Sequence, residues 1–221
     1  FDISFLTCVP GLTVMAPSTK KEMRDMLYSA VKYRCPVVLR YPRGAPQGHF
    51  LRGAPQGHFL RGAPQGHFLR GAADIRGGSD EFEMIEKGKA VEETKGKDLT
   101  IMALGSMVGP SMEAAEILKK EGIDAGVTNL RFAKPLDKKL ILSASSRTGK
   151  VLTVEENVVT GGVGQQIGSI VSASSSDAEV VNLGLPDEFV TYGDADALRK
   201  EQGLSAEGIA ESARRLAQKI K

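Results

Sequence analysis

Histidine is almost missing from this sequence. His49, His58 and His67 are the whole supply in 221 residues, and all three lie inside one short repeated segment. The rest of the chain therefore has no imidazole, which excludes a Ser-His or Cys-His nucleophile and a histidine acid or base there. Cysteine is nearly as scarce. Cys8 and Cys35 are too few for a disulfide framework and stand in no CxxC spacing for zinc or redox work, so both read as reduced thiols of core or surface. No apolar run approaches the roughly 20 residues of a bilayer-crossing helix, and the N-terminus has neither a basic region nor a signal-type apolar stretch. The expectation is a soluble, intracellular chain with no membrane partner. Aromatics make up 5% and do not interleave with the basic residues, while 29 basic against 27 acidic side chains leave a net charge of +2. No nucleic-acid footprint is present, and nucleic acid is not expected as a partner. What remains is 41% hydrophobic and 25% charged, enough for one domain or two small ones.

The segment that holds the histidines is a perfect tandem repeat. RGAPQGHFL occurs three times without a break, over 43–51, 52–60 and 61–69, with a partial fourth start at Arg70. Two glycines and a proline in nine residues disfavour a helix or a central strand, and three copies are too few for a solenoid with its own core. The repeat brings no carboxylate or thiol to join its histidines, so it reads as linker and not as a metal site. It also distorts the charge: without it the other 194 residues carry −1.

Ahead of the repeat the pattern is strand, helix, strand. The apolar run Leu12 to Ala16 is followed by Pro17-Ser18-Thr19, with Glu22 three residues beyond Thr19, a capping-box spacing that starts a helix near Thr19. Met23, Met26, Leu27, Ala30 and Val31 recur at helical spacing and predict the packed face. Pro36-Val37-Val38-Leu39 then reads as a buried strand, completing a parallel βαβ unit. Ligands of open parallel sheets collect beyond the carboxyl ends of the strands. Arg43 follows this strand, between Pro42 and Gly44, where a guanidinium can take a phosphate or carboxylate bidentately. Position alone leaves open a solvated arginine at the start of a linker.

From Phe82 the alternation resumes. Ala90 to Glu92 suggests an edge strand and Leu99 to Leu104 a buried one ending at Gly105. Pro110 opens a helix with Met112, Ala115 and Leu118 inward. Asp124 to Leu130 is the next strand, and Lys134-Pro135-Leu136-Asp137 starts a helix with Pro135 near its first position and Asp137 in its first turn. Val151 to Val154 is a third buried strand, with Glu155-Glu156-Asn157 at its carboxyl end. Gly161, Gly162 and Gly164 then form a strand-to-helix turn before Val163, Ile167, Ile170 and Val171. Such a turn either offers free amides to an anion or merely permits close helix packing. Glu155 and Glu156 are adjacent and imply no acid and base pair. Val180 to Leu183 is a further strand, and Ile209, Ala213, Leu216, Ala217 and Ile220 mark a closing amphipathic helix whose last turn holds Lys219 and Lys221.

Taken together, FDISFL, VMAPS, EMRDMLYSAV, VVLRYPRG, ALGSMV, NLRFAKPLD, TVEEN with GGVG, and LGLPDEFV occur in one order along nearly the whole chain outside the repeat. In this the chain resembles the C-terminal third of the bacterial-type 1-deoxy-D-xylulose-5-phosphate synthase family. The fold class this implies is α/β: the end of a parallel-sheet pyrimidine-binding domain over 1–44, a linker over 45–81 that contains the repeats of 43–69, and a transketolase C-terminal-like α/β domain over 82–221. The opening FDISFL reads as the middle of a packed element, so the chain is expected to be a piece of something longer.

The resemblance also implies chemistry. In that family thiamine diphosphate attacks pyruvate, carbon dioxide leaves, and the carbanion adds to D-glyceraldehyde 3-phosphate, feeding isoprenoid, thiamine and pyridoxal synthesis. The arginine of YPRG contacts the acceptor phosphate, a role that falls on Arg43, while Arg40 either supports it or belongs to a structural pair. The Mg²⁺ ligands and the residues that activate the cofactor lie upstream of FDISFL, so no cofactor, metal or catalytic residue is assigned within this chain. By itself it is expected to be inactive; the complete protein is expected to be a homodimer of bacterial cytoplasm or of a plastid. The C-terminal half of a transketolase, the β subunit of a 2-oxoacid dehydrogenase, and a non-catalytic assembly module are the alternatives.

Overall fold

The computed structural model describes residues 1–42, 81–174 and 176–218. The repeat, its three histidines, Arg43, Lys219, Ile220 and Lys221 lie outside them. The first elements are α1 (Asp2–Leu6), β1 (Thr13–Met15), α2 (Lys20–Lys32) and β2 (Val37–Leu39). β1 and β2 pair in parallel, Thr13 opposite Val37 and Met15 opposite Leu39, with α2 as their crossover. Thr19 caps α2 as its spacing predicts, accepting from the Glu22 amide at 3.1 Å. The return bond of the capping box is displaced by one residue, because Glu22 Oε2 accepts from the amide and hydroxyl of Ser18, at 2.6 and 2.7 Å.

The packed face of α2 differs from the apolar stripe. Of that stripe only Met26 is fully buried, whereas Leu27 is half exposed and Val31 is 81% exposed. The buried positions are Glu22, Asp25, Met26 and Ser29. Their polar atoms bind the segment that begins the second half: Asp25 Oδ1 accepts from Glu83 N at 3.1 Å, and Ser29 Oγ accepts from Ile85 N at 2.8 Å. Tyr33 in turn donates to the Ile85 carbonyl at 2.6 Å. A backbone strap carries donors and acceptors that must be paired when covered, and that need selects polar side chains for the inner face. β2 is also less buried than its sequence suggests: all three of its residues are intermediate, since it is an edge strand.

The second half contains β3 (Val91–Thr94), β4 (Leu99–Ala103), α3 (Val108–Lys120), β5 (Ala125–Asn129), β6 (Phe132–Lys134), α4 (Lys138–Thr148), β7 (Lys150–Val158), α5 (Val163–Ser172), β8 (Glu179–Leu185), α6 (Ala195–Glu201) and α7 (Ala206–Gln218). A single 3₁₀ turn, Gly105–Met107, links β4 to α3. Five strands form a sheet in the order β3-β5-β4-β7-β8, parallel except for β3. Helices cover both faces, which is why β4 and β5 are buried at every residue and read as continuous runs. Leu118 of α3 and Ile209, Ala213 and Leu216 of α7 pack on one face with Leu99, Ile101 and Leu152. Ile141 of α4 and Val163, Ile167 and Val171 of α5 pack on the other with Met102 and Val151, joined by Ile3 and Val14 from the first half. The α/β fold class holds.

Several local expectations need correction. Pro135 precedes α4, in a cis peptide bond with Lys134, and Asp137 is the N-cap of that helix, accepting from Leu140 N at 3.1 Å. β7 runs on to Val158, so Glu155, Glu156 and Asn157 lie inside it. α1, β6 and α6 carry too few residues to show a period. β6 matters most: it pairs antiparallel with β1, giving a second sheet β2-β1-β6, so a strand from the second half completes the sheet of the first.

Candidate functional site

The two sheets bring the carboxyl ends of β1 and β4 together. Gly105, just past β4, has φ of 58°, and a Cβ there would stand 2.9 Å from the Ala16 Cβ, just past β1. Glycine permits both the left-handed backbone and this approach. β4 also lies between β5 and β7, so the chain reverses direction across the sheet at the β4/β7 crevice, the position where doubly wound folds place ligands.

Glu155 and Glu156 close this crevice from β7, and successive side chains of a strand leave on opposite faces. Glu155 is 2% exposed. Its Oε2 accepts from Val163 N at 2.9 Å and its Oε1 from Gly164 N at 2.8 Å. The anion at the N-terminus of α5 is thus the chain's own carboxylate, and these two amides of the glycine turn are taken. The glycines serve packing as well: a Cβ on Gly162 would lie 2.4 Å from Glu155 Oε1, and one on Gly164 2.4 Å from Thr153 Oγ1. Burial raises the Glu155 pKa, against the opposing pull of the Gly164 and Val163 amides.

Glu156 gathers a different set. Its Oε1 accepts from Arg199 Nε of α6 at 2.9 Å and its Oε2 from Ser106 Oγ at 2.8 Å. Its backbone carbonyl accepts from Arg40 Nη2 at 2.8 Å, and Arg40 Nη1 stands 3.8 Å from Oε2. Arg40 Nε donates to Asp2 Oδ2 at 3.3 Å, and Arg199 Nη1 to Asp196 Oδ1 at 3.0 Å. Burial works against the Arg199 charge, yet its bonds to Glu156 and Asp196 outweigh that and hold its pKa above the ordinary guanidinium value. Arg40 therefore joins the end of β2 to α1 and β7.

A second ionic cluster lies between α2 and the β5/β6 junction. Arg131, at φ of 57°, donates through Nε to Glu22 Oε1 at 2.6 Å, and Asn129 Nδ2 donates to the same oxygen at 3.1 Å. The Arg131 carbonyl accepts from Ala16 N at 2.9 Å. Neither cluster contains a nucleophile beside a free base: both Glu156 oxygens and both Glu22 oxygens are already engaged. These groups hold strand ends in place.

Arg43, the leading sequence candidate, lies outside the described residues. Asp2, Ser106, Glu156 and Arg199 were missed as a group. Glu156 stands 116 residues from Arg40, and no local pattern joins them. Among the described residues no group of three His, Cys, Asp or Glu side chains is arranged to hold a metal ion, and no helix is long and apolar enough to cross a membrane. With its Val163 and Gly164 amides closed by Glu155, the N-terminus of α5 is not open to a diphosphate.

Comparison with known proteins gives two family matches. The transketolase C-terminal domain matches residues 88–209, and the transketolase pyrimidine-binding domain matches residues 1–47. Among curated relatives, the 1-deoxy-D-xylulose-5-phosphate synthase of Heliobacterium modesticaldum is 37% identical over 217 residues, 98% of this chain and 29% of the relative. That of Aquifex aeolicus is 37% identical over 214 residues, 97% of this chain and 30% of the relative. The chain thus spans less than a third of the length of these relatives. Among solved structures, a split-gene transketolase described as an inactive β4 tetramer superposes with a TM-score of 0.74 at 25% identity, covering 98% of this chain and 60% of that one. A transketolase variant from Pichia stipitis, at 20% identity and a TM-score of 0.63, shares the fold.

Proposed function

This chain belongs to the transketolase C-terminal domain family, and from that premise we propose that it is the C-terminal part of a 1-deoxy-D-xylulose-5-phosphate synthase. The observation that carries the reading is the similarity to such a synthase at 37% identity over 217 residues, 98% of the chain. The complete enzyme would condense pyruvate with D-glyceraldehyde 3-phosphate, releasing carbon dioxide, as a homodimer of bacterial cytoplasm or plastid. Thiamine diphosphate with Mg²⁺ would supply the electron sink, held in this reading by sequence of the complete protein outside this chain. The chain divides into a pyrimidine-domain tail over 1–44, a linker over 45–81 and the C-terminal domain over 82–221.

In this reading Arg43 binds the acceptor phosphate and Arg40 supports it. The side chain of Arg43 has the chemistry for that role, since a guanidinium carries a permanent charge and a planar fork of donors for phosphate oxygens. The chain alone would be inactive, because holding one substrate contributes only when the reacting partner is held as well. The test is carbon dioxide release from labelled pyruvate with glyceraldehyde 3-phosphate present. The complete protein should release it and the purified 221-residue chain should not; release by the short chain would overturn the division of labour.

A second reading is favoured by the superposition on a split-gene transketolase at a TM-score of 0.74. There the chain would be one polypeptide of a two-part enzyme. Assays on the reconstituted protein separate the two, since a transketolase takes a ketose phosphate donor where the synthase takes pyruvate.

A further inference from the structure

Among the described residues β6 pairs with one strand, β1, which belongs to the other half of the chain. Val14 and Met15 stand opposite Lys134 and Phe132, and the Ala16 amide donates to the Arg131 carbonyl at 2.9 Å. The side chains follow the same division. Phe132 is fully buried in a cluster whose other buried members are Ile85 from the second half and Met15 and Met26 from the first. The cations that flank it are spent on the first half as well. Arg131 Nε donates to Glu22 Oε1 at 2.6 Å, and Lys134 Nζ donates to the Thr7 and Val9 carbonyls at 2.7 and 2.6 Å. Ile3 and Val14 enter a further cluster, built otherwise by residues of the second half such as Ile141 and Ile167. All of these contacts join residues 1–42 directly to residues 81–218.

We infer that the second half carries a docking surface, centred on β6, that holds the segment 1–42 without a covalent connection, and that this segment of a second copy of the chain can occupy it. Adding a strand to a free sheet edge gives affinity through main-chain bonds and specificity through the side chains on either face. Here the specificity is written in Arg131, Phe132 and Lys134. They fit an occupant with an extended apolar strand, a buried carboxylate beside it and two turn carbonyls at its start, and residues 1–42 bring all of these. Neither half completes the Phe132 cluster alone, since each supplies two of its four buried members. Apolar surface left open in this way drives reassociation, and an unpaired strand edge is a route by which copies exchange elements. In the intact chain the connection raises the effective concentration of a copy's own segment. Cutting the connection is therefore what lets occupancy by another copy be read.

The experiment uses the full 221-residue chain with the recognition sequence of a specific protease inserted between Leu60 and Arg61, so that both halves stay present after cutting. At about 10 μM the cut pieces should elute together at the size of the uncut chain. Cut chains of ordinary and ¹⁵N-labelled protein are then mixed in urea and refolded by dilution, with the uncut chain refolded alongside. Native mass spectrometry should find mixed heavy and light pairs in the statistical proportion. Three variants locate the surface. Met15→Ala and Lys134→Ala should each raise the concentration at which the pieces separate by about tenfold or more, as a buried truncation and a lost charge-assisted contact. Val31→Ser, on the outer face of α2, should change it less than about twofold. Met15→Ala leaves the sequence of the second half untouched, so its effect is not a folding failure of that half. Separation of the pieces at about 10 μM, or failure of the cut chain to refold where the uncut chain does, would overturn the inference. So would Met15→Ala and Lys134→Ala without effect, or a loss at Val31→Ser equal to theirs.

Discussion

The amide of Gly164 donates to Glu155 Oε1 across 2.8 Å. A residue of β7 thereby caps the helix that follows it, nine positions later, with a carboxylate placed where the helix dipole favours negative charge. Gly162 in the turn and Gly164 in the first turn of the helix have no side chains, which leaves room for that carboxylate and for Thr153 and Asn182.

Substitution of these glycines tests the packing directly. Gly162→Ala and Gly164→Ala should each destabilise the fold by about 1–3 kcal/mol, the usual range for forcing a methyl into a filled space. Gly168→Ala is the control, because a Cβ there meets nothing within 4 Å in the same helix. It should be neutral or stabilising by up to about 1 kcal/mol. Urea unfolding of the three variants settles the comparison; equal effects at Gly164 and Gly168 would remove the packing argument.

A pH dependence follows from Glu155. Burial raises its pKa above the ordinary value of 4.5, outweighing the amide bonds. The folded chain then binds this proton more tightly than the unfolded chain, so stability falls as pH rises through the window from 4.5 upward to the folded value. Glu155→Gln removes that part of the slope. Measured between about pH 4 and 7, the stability of the parent minus that of Glu155→Gln should decline with rising pH. An increase would mean that the two amides outweigh burial.

The inner and outer faces of α2 agree with its apolar stripe at Met26 and depart from it at Ser29 and Val31. Met26→Ala should cost about 2–5 kcal/mol as a buried truncation. Ser29→Ala should cost about 1–3 kcal/mol, because the Ile85 amide loses its acceptor under cover. Val31→Ser, at a side chain 81% exposed in the 221-residue chain, should stay within about 0.5 kcal/mol. Thermal unfolding of this chain ranks the three, and a Val31 effect as large as that of Met26 would show that the stripe is covered.

Within the proposed function, Arg43→Ala in the complete enzyme should weaken the phosphorylated acceptor and leave pyruvate nearly untouched; steady-state kinetics with each substrate varied in turn provides the check. Deleting residues 43–69 leaves the sequence YPRGAAD. If the repeat is inert linker, that deletion should leave activity unchanged or improved, since loop closure entropy grows only logarithmically with length. A large loss would assign the repeat a role.

The local signals in this sequence were strong wherever the deciding atoms lie within a few residues. Thr19 starts α2 because its hydroxyl needs only the amide three residues on. β4 is legible because a strand covered on both faces is apolar throughout, and the order of strands and helices follows from such runs. Adjacent Glu155 and Glu156 in a strand must part to opposite faces, and that too is local geometry. What each then meets is not. The buried side of α2 was set by a strap more than 50 residues away, whose backbone demanded Asp25 and Ser29 in place of Leu27 and Val31. β6 exists because β1 offers it a free edge, and three residues cannot announce such a pairing by themselves. The Arg40 brace on Glu156 likewise arises only when two sheets bring their strand ends together. Propensity and capping act over one or two turns of chain, whereas burial and the pairing of buried polar groups depend on whatever the fold brings near. The elements and their order were therefore written locally, and the faces they bury and the contacts at the site were decided by packing.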